Sequence, residues 1–361
     1  MTKKINVAII GAGRIAEHHL KAIKKNNGFK LVSICDLNKD KAYNFSQKYN
    51  VPYFLDYNEM LSEKKDIDIV AIMTPSGCHY EHCKDILLKY KKNLIVEKPT
   101  FLKSSHVKEI YKIANKLKVR IFPVFQNRFN KAIQKIQKEI KSNKIGKINI
   151  VSIRVRWCRP QRYYDLAPWR GTFSHDGGAL TNQGIHHIDL LRYLVGEVRE
   201  VNSKMLTFGA KIEVEDTALA LFKFDNGAAG SLEITTAARP TDFEASISIL
   251  GSKGTIQIGG LAVNEILIYT PDPKICNKFS EKIPDAYGFG HYELYNQIHR
   301  SISKNKKFII SEEDCFKTIL LLNAFYASNE KQKNIFINKK IESNKLGSRN
   351  EKISKLYRYK K

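Results

Sequence analysis

Short, almost wholly apolar runs alternate with amphipathic stretches through the first third of the chain. Residues 5–10, Ile-Asn-Val-Ala-Ile-Ile, predict a strand buried on both faces. A glycine turn follows, then a helix over about residues 15–25. Residues 31–36 predict a second strand and 39–49 a second helix. Further short apolar strands are expected at 67–73, 94–97 and 119–124, with helical stretches between them. Strand and helix alternating at this spacing predict an α/β, doubly wound parallel sheet.

From about residue 148 the pattern changes. Segments at 148–157, 201–208, 218–224, 230–236, 245–250 and 254–258 predict strands joined by hairpin-like turns, Asp225-Asn226-Gly227 among them. A helix at about 183–194 interrupts the series, and helices at about 292–303 and 312–331 close it. The expected organisation is a doubly wound parallel-sheet domain over 1–124, then an α+β domain on a mostly antiparallel open sheet over 125–342. Residues 343–361 read as a basic, lysine-rich tail to which no structure is assigned.

A length of 361 residues suits about two domains, and 43% hydrophobic residues suffice for their cores. No stretch reaches the roughly 18–20 apolar residues of a membrane helix. The N-terminus runs directly into the first strand without a signal-like segment. Six cysteines (Cys35, Cys78, Cys83, Cys158, Cys276, Cys315) form no disulfide-like framework, so a reducing cytoplasm is the expected location. The net charge of +25 raises nucleic acid as a partner, but 47 of the 61 basic residues are lysines scattered between apolar helix positions. They read as general surface enrichment, so neither nucleic acid nor membrane is an expected partner. A basic surface also speeds encounter with a polyanionic small molecule.

Gly11-Ala12-Gly13-Arg14-Ile15-Ala16 follows the first strand and fits G-x-G-x-x-[G/A], the Rossmann fingerprint. The first glycine permits the tight turn and the second lets the backbone approach a pyrophosphate. The helix N-terminus supplies amide donors to the anion. Asp36, closing the second strand, can accept hydrogen bonds from ribose hydroxyls and repel a 2′-phosphate, which favours NAD over NADP. Lys39 and Lys41 nearby act against that preference. Thr74-Pro75-Ser76-Gly77-Cys78-His79 and Glu97-Lys98-Pro99 each close a parallel strand, where ligands of such sheets bind. Lys98 is there either an ammonium able to polarise or deprotonate a hydroxyl, or a surface lysine before a turn proline.

A third cluster runs from Asp176-Gly177-Gly178 through Asn182-Gln183-Gly184-Ile185-His186-His187 to Asp189. If helical from Asn182, it puts Asn182 and His186 on one face, with Asp189 a turn beyond. His186 suits removal of an alcohol proton as hydride leaves the carbon. The alternative makes His186 a buried structural histidine and His187 its exposed neighbour. Cys78-His79 with His82-Cys83 matches no usual zinc spacing, and no metal is expected.

These motifs in this order resemble the glucose–fructose oxidoreductase / inositol dehydrogenase / rhizopine catabolism (Gfo/Idh/MocA) family, over nearly the whole chain to about residue 340. The resemblance implies hydride transfer at a hydroxyl carbon, with the nicotinamide between Lys98 and His186 as catalytic residues. It implies that Gly11, Gly13, Arg14, Ile15 and Asp36 hold the adenosine and pyrophosphate half of NAD. Thr74, Pro75, His79, Glu97, Lys98 and Asn127 line the rest of the path, and Trp169-Arg170 matches a loop that reaches the cofactor. Many polyol dehydrogenases of the family carry Asp four residues before the histidine, where Asn182 stands here. Asn182 cannot relay a proton, so more of the work falls to Lys98 and His186.

The stretch Tyr163-Tyr164…Pro168-Trp169-Arg170-Gly171-Thr172, with the third cluster, more narrowly resembles the UDP-N-acetylglucosaminuronate 3-dehydrogenases of surface polysaccharide biosynthesis. Arg156, Arg159, Arg162 and Arg170 fall in one stretch, as a diphosphate and a carboxylate would require. The expected substrate contacts are Lys98, Arg162, Tyr163, Tyr164, Arg170, Asn182 and His186. Rival readings are a dehydrogenase of free sugars or cyclitols such as inositol, an NAD-dependent glycosidase, and a non-enzymatic NAD-sensing regulator. An open sheet of the family type implies a homo-oligomer, dimer or tetramer.

Overall fold

A computed structural model describes residues 3–359 and divides them into two compact units. The first holds a six-stranded parallel sheet: β1 Ile5–Ile10, β2 Phe29–Cys35, β3 Tyr53–Phe54, β4 Ile69–Ile72, β5 Asn93–Val96 and β6 Ile121–Pro123. The order is β3-β2-β1-β4-β5-β6, every pair parallel. The central β1 and β4 are almost wholly buried, which is why they read as continuous apolar runs. Helix α1, Ala16–Lys25, buries Ala16, His19, Leu20 and Ile23 along one face. Glu17 lies in its first turn and Lys24 and Lys25 in its last, complementing the helix dipole.

This unit is not continuous in sequence. Residues 291–316 and 349–359 belong to it, together with 3–124, whereas the sequence reading put 125–342 in one domain and left 343–361 as a tail. The physical reason is packing. The helix Gly290–Ser303 buries Leu294, Tyr295 and Ile298, and the Tyr295 ring meets Phe29 edge-on at 5.3 Å. Asn26 donates to Asn296 Oδ1 at 2.8 Å. Near the C-terminus a short helix, Glu351–Ser354, is followed by Arg358, which pairs with Glu351 at 2.7 Å and Glu81 at 3.3 Å.

The second unit, residues 125–290 with 317–348, holds an eight-stranded sheet. Its strands are β7 Ile148–Arg156, β8 Val198–Leu206, β9 Thr217–Phe224, β10 Ala229–Thr235, β11 Glu244–Gly251, β12 Thr255–Gly259, β13 Glu265–Tyr269 and β14 Ile335–Phe336. The order is β13-β12-β11-β7-β10-β9-β8-β14; only β7 and β10 run parallel. Asp225-Asn226-Gly227 makes the β9–β10 hairpin, with Gly227 at φ +89. Val151, Ile153, Val155, Leu232 and Ile234 point to the core, where Phe222 meets Phe325 of a C-terminal helix at 6.1 Å. The opposite face leaves Ile150, Leu219, Leu221 and Leu250 exposed. The short strands β3, β13 and β14 have no counterpart in the hydrophobic pattern. Among the described residues no helix is long and apolar enough to cross a membrane.

Candidate active site

In the first unit the fingerprint forms the β1–α1 turn. Gly11 has φ +100, and a Cβ there would sit 2.7 Å from the Met73 carbonyl oxygen, so only glycine fits. Around Gly13 a Cβ would meet nothing within 4 Å, leaving backbone open to an approaching group. Arg14 is exposed and Ile15 half-buried at the helix entrance. Asp36 follows β2; its oxygens accept from the amides of Ala12 at 2.7 Å and Asn38 at 2.8 Å. The carboxylate is thereby fixed directly beside the glycine turn.

Thr74 and Pro75 follow β4. The Thr74 hydroxyl lies 3.0 Å from His82 Nδ1. His79 is buried, its ring nitrogens 3.0 Å from the Pro99 carbonyl and 2.9 Å from that of Thr74. Burial holds its pKa below the ordinary value. A neutral imidazole has one N–H, so His79 ties one of these loops by donation and packs against the other. Both ring nitrogens thus face backbone, and His79 supports the loops of the expected cofactor path. Lys98 is half-buried at the end of β5. Glu97, read from sequence as a cofactor contact, is buried and receives the Lys98 amide at 2.9 Å on Oε2 and His19 Nε2 at 2.8 Å on Oε1. His291 Nε2 lies 3.7 Å from the same Oε1. Burial alone would raise the Glu97 pKa, but the hydrogen bond from His19 and the nearby His291 imidazole hold it well below the usual carboxylate range.

In the second unit the expected helix is broken. Ala179–Asn182 and Ile185–Val195 are separate helices, with Gln183 and Gly184 between them. The Gly184 amide donates to the Ala179 carbonyl at 2.9 Å, one residue beyond the regular helical spacing, and a Cβ on Gly184 would meet Ile234 Cδ1 of β10 at 2.5 Å. Asn182 therefore does not share a helix with His186; its amide instead donates to Asp176 Oδ1. Asp176 also accepts the Gly171 amide at 2.8 Å. His186 is buried, with Nε2 3.2 Å from Gln126 Nε2. Asp189 is claimed by Arg128 in a bidentate pair, both bonds 2.7 Å. His187 is buried, not exposed, and burial lowers its pKa to about 4. Asn127 is buried beside Gln126 on a 3₁₀ turn, Gln126–Phe129.

The arginine stretch divides. Arg156 forms a bidentate pair with Glu233 at 2.6 and 2.7 Å and reaches Glu244 at 3.2 Å; Arg159 pairs with Asp242 at 2.8 Å. These two serve the sheet: Glu244 of β11 lies directly opposite Arg156, Glu233 of β10 lies diagonal to it, and Asp242 precedes β11. Arg162 is exposed. Arg170 donates to the Tyr163 hydroxyl at 2.6 Å and lies 4.6 Å from the centroid of the Trp169 ring. The Tyr164 hydroxyl is buried against Thr236 Oγ1 at 3.0 Å. Arg170 borders a shallow surface hollow lined also by Gln161, Lys211 and Glu213.

Several residues of these clusters had no assigned role in the sequence. Asp176 stood in the quoted motif without a partner, and Gln126 had no signal beyond its place before Asn127. Glu215 accepts the Tyr326 hydroxyl at 2.8 Å and the Leu180 amide at 3.1 Å, and burial, with Asp176 nearby, pushes its pKa up to about 7. Tyr326 in turn meets Thr181 Oγ1 at 2.7 Å, so Glu215 and Tyr326 brace the turn carrying Asn182. Only the fold brings these distant positions together.

Residues 5–125 match the oxidoreductase family with an NAD-binding Rossmann fold, and residues 133–257 match the GFO/IDH/MocA C-terminal domain. The chain belongs to this oxidoreductase family, and its first unit is an NAD-binding Rossmann domain. It is similar to the crystal structure of the WlbA dehydrogenase from Bordetella pertussis in complex with NADH and UDP-GlcNAcA. The TM-score is 0.86 at 33% identity, covering 94% of this chain and 99% of that one. The WlbA dehydrogenase from Chromobacterium violaceum, solved with the same two ligands, gives a TM-score of 0.85 at 34% identity, covering 94% and 97%. Among curated relatives, the myo-inositol 2-dehydrogenase of Thermotoga maritima is 23% identical, covering 92% of this chain and 98% of its own. The open backbone at Gly13, the entrance of α1 and the fixed Asp36 carboxylate fit the dinucleotide.

Proposed function

We propose that the chain is an NAD-dependent dehydrogenase of the 3-hydroxyl of a UDP-N-acetylhexosamine uronate. The observation that carries this reading is the near-full-length likeness, at 33–34% identity, to two dehydrogenases crystallised with UDP-GlcNAcA. Inositol dehydrogenases are also relatives, but at lower identity. When bound, NAD supplies the hydride acceptor. Gly11, Gly13, Arg14, Ile15 and Asp36 hold its adenosine and pyrophosphate portion, and Thr74, Pro75, Lys98, Asn127, Trp169 and Arg170 border the remainder. Glu97 and His79 act behind this path as supports. Lys98 and His186 take and steer the proton of the oxidised hydroxyl, and Asn182, anchored on Asp176, orients the sugar.

Arg162 and Arg170 are the guanidinium groups of the stretch that carboxylates of the sheet do not claim, so they meet the substrate's anions, with Tyr163 between them. The setting is cytoplasmic, where nucleotide sugars are made, and the protein is a homo-oligomer through the apolar outer face of its second sheet. A panel of UDP-GlcNAcA, neutral UDP-sugars and free inositol, followed by NADH absorbance, tests the assignment. Arg162→Ala and Arg170→Ala are expected to raise KM for UDP-GlcNAcA by about tenfold each, the scale of a charge-assisted hydrogen bond. Arg156→Ala is expected to leave that KM nearly unchanged. Efficient turnover of inositol with none of UDP-GlcNAcA contradicts the reading.

A further inference from the structure

We propose that Glu215, acting with Tyr326, is a positioning residue that sets where Asn182 meets the sugar. The proposal rests on the reading above, in which Asn182 orients the substrate. All the residues involved lie in the second unit. Asn182 ends the helix Ala179–Asn182, which is only four residues long. So short a helix does not hold itself: isolated helices need roughly 12–15 residues, and the first amides of any helix lack a partner within it. Its position is set by whatever receives those amides from outside.

Glu215 and Tyr326 receive that chain at consecutive residues. The Gly178 amide donates to the Tyr326 hydroxyl at 3.1 Å, and the Ala179 amide to the Glu215 carbonyl at 3.0 Å. The Leu180 amide donates to Glu215 Oε1 at 3.1 Å, and Thr181 Oγ1 meets the Tyr326 hydroxyl at 2.7 Å. Tyr326 itself donates to Glu215 Oε1 at 2.8 Å, so the two side chains act as one clamp. A Cβ on Gly178 would lie 2.1 Å from the Glu215 carboxyl carbon; the glycine leaves the room that the carboxyl fills. Both side chains are buried, so solvent does not take over these bonds. At the other end of the helix the Asn182 side chain donates to Asp176 Oδ1. Asp176 Oδ2 receives the Gly171 amide at 2.8 Å, and the Glu213 amide donates to the Gly171 carbonyl at 3.1 Å. The ring of bonds thus returns to the segment that carries Glu215. Asn182 itself is half-buried, at the open end of this buried frame. Every side-chain bond of Glu215 falls on Oε1, while Oε2 has no partner among the described residues. Burial, with Asp176 nearby, pushes its pKa up to about 7, so the site tolerates a neutral carboxyl and glutamine is the conservative replacement.

A double-mutant cycle on kcat/KM for UDP-GlcNAcA, with NAD saturating, tests the proposal. Glu215→Ala is expected to lower kcat/KM by about tenfold, mainly through KM, because the sugar then meets a misplaced Asn182. In the Asn182→Ala background the same change costs less than about twofold, since the group it acts through is gone. The urea midpoint falls equally in both backgrounds, which separates positioning from stability. Glu215→Gln, whose carbonyl oxygen receives the same donors, stays within about threefold of the parent. If Glu215→Ala does not fold, Tyr326→Phe takes its place in the cycle, with a loss of about threefold that vanishes without Asn182. Equal losses with and without Asn182 overturn the proposal, and so does a Glu215→Gln protein as impaired as Glu215→Ala. An Asn182→Ala protein with the parent's kcat/KM instead refutes the reading of Asn182 on which the proposal rests, a failure the single variant alone reveals.

Discussion

Lys98→Met and His186→Ala are each expected to lower kcat by about 10²–10⁴-fold, the usual scale of general acid–base catalysis. Oxidation of a secondary alcohol requires its proton to leave as the carbonyl forms, and these are the two groups assigned to it. Lys98 stands at the carboxyl end of a parallel strand, the position at which such sheets bind their ligands. His186 is buried against the side-chain amide of Gln126, nitrogen to nitrogen 3.2 Å. His186→Ala is expected to leave NAD affinity within about twofold of the parent, measured by fluorescence titration, because the residues proposed to hold the adenosine and pyrophosphate portion all lie in the first unit. Asn182→Ala acts more mildly and partly through KM. A folded His186→Ala protein with near-normal turnover removes this histidine from the mechanism.

Asp189→Ala is expected to destabilise the protein by about 3–5 kcal/mol, the cost of leaving a buried charge without its partner. Arg128 and Asp189 form two 2.7 Å bonds, and their side chains are 3% and 1% exposed. Thr318 donates a further bond to Asp189 at 3.1 Å, and the Tyr193 ring lies 4.6 Å from the Arg128 guanidinium. Replacing both partners together, Arg128→Met with Asp189→Leu, removes the orphaned charge and is expected to recover most of the loss. Urea denaturation measures both. Equal destabilisation by the single and double variants contradicts the account. Asp189 lies one turn beyond His186, so the single variant also lowers kcat.

Much of the fold was legible because burial dictates hydrophobic pattern. β1 and β7 each run as contiguous segments whose apolar residues face a core, and their sequences announce this. β3 and β14 are two residues long, too short for any period to register. The return of residues 291–316 to the first unit was invisible, since a helix's apolar face does not say which core it joins. At the site, the glycine fingerprint and Glu97-Lys98-Pro99 carried their chemistry in their spacing. The helix break at Gln183-Gly184 did not, because both residues keep helical backbone angles and the break lies in a hydrogen bond shifted by one residue. Arg156 and Arg159 looked like ligands for anions until the register of β7 with β10 and β11 supplied Glu233 and Glu244 to Arg156, and the segment before β11 supplied Asp242 to Arg159. His19 lies 78 residues from Glu97 and Tyr326 lies 111 residues from Glu215, distances no local pattern spans.

The central claim is oxidation at C3 of a nucleotide-linked uronate, and isotope transfer tests it most directly. UDP-GlcNAcA carrying deuterium at C3 would be incubated with the protein and NAD, and the reduced cofactor examined by mass spectrometry. The account predicts NADH bearing that deuterium and a ketone at C3 of the sugar. NADH formed without the label, or formed from inositol while UDP-GlcNAcA stays unreacted, would contradict it.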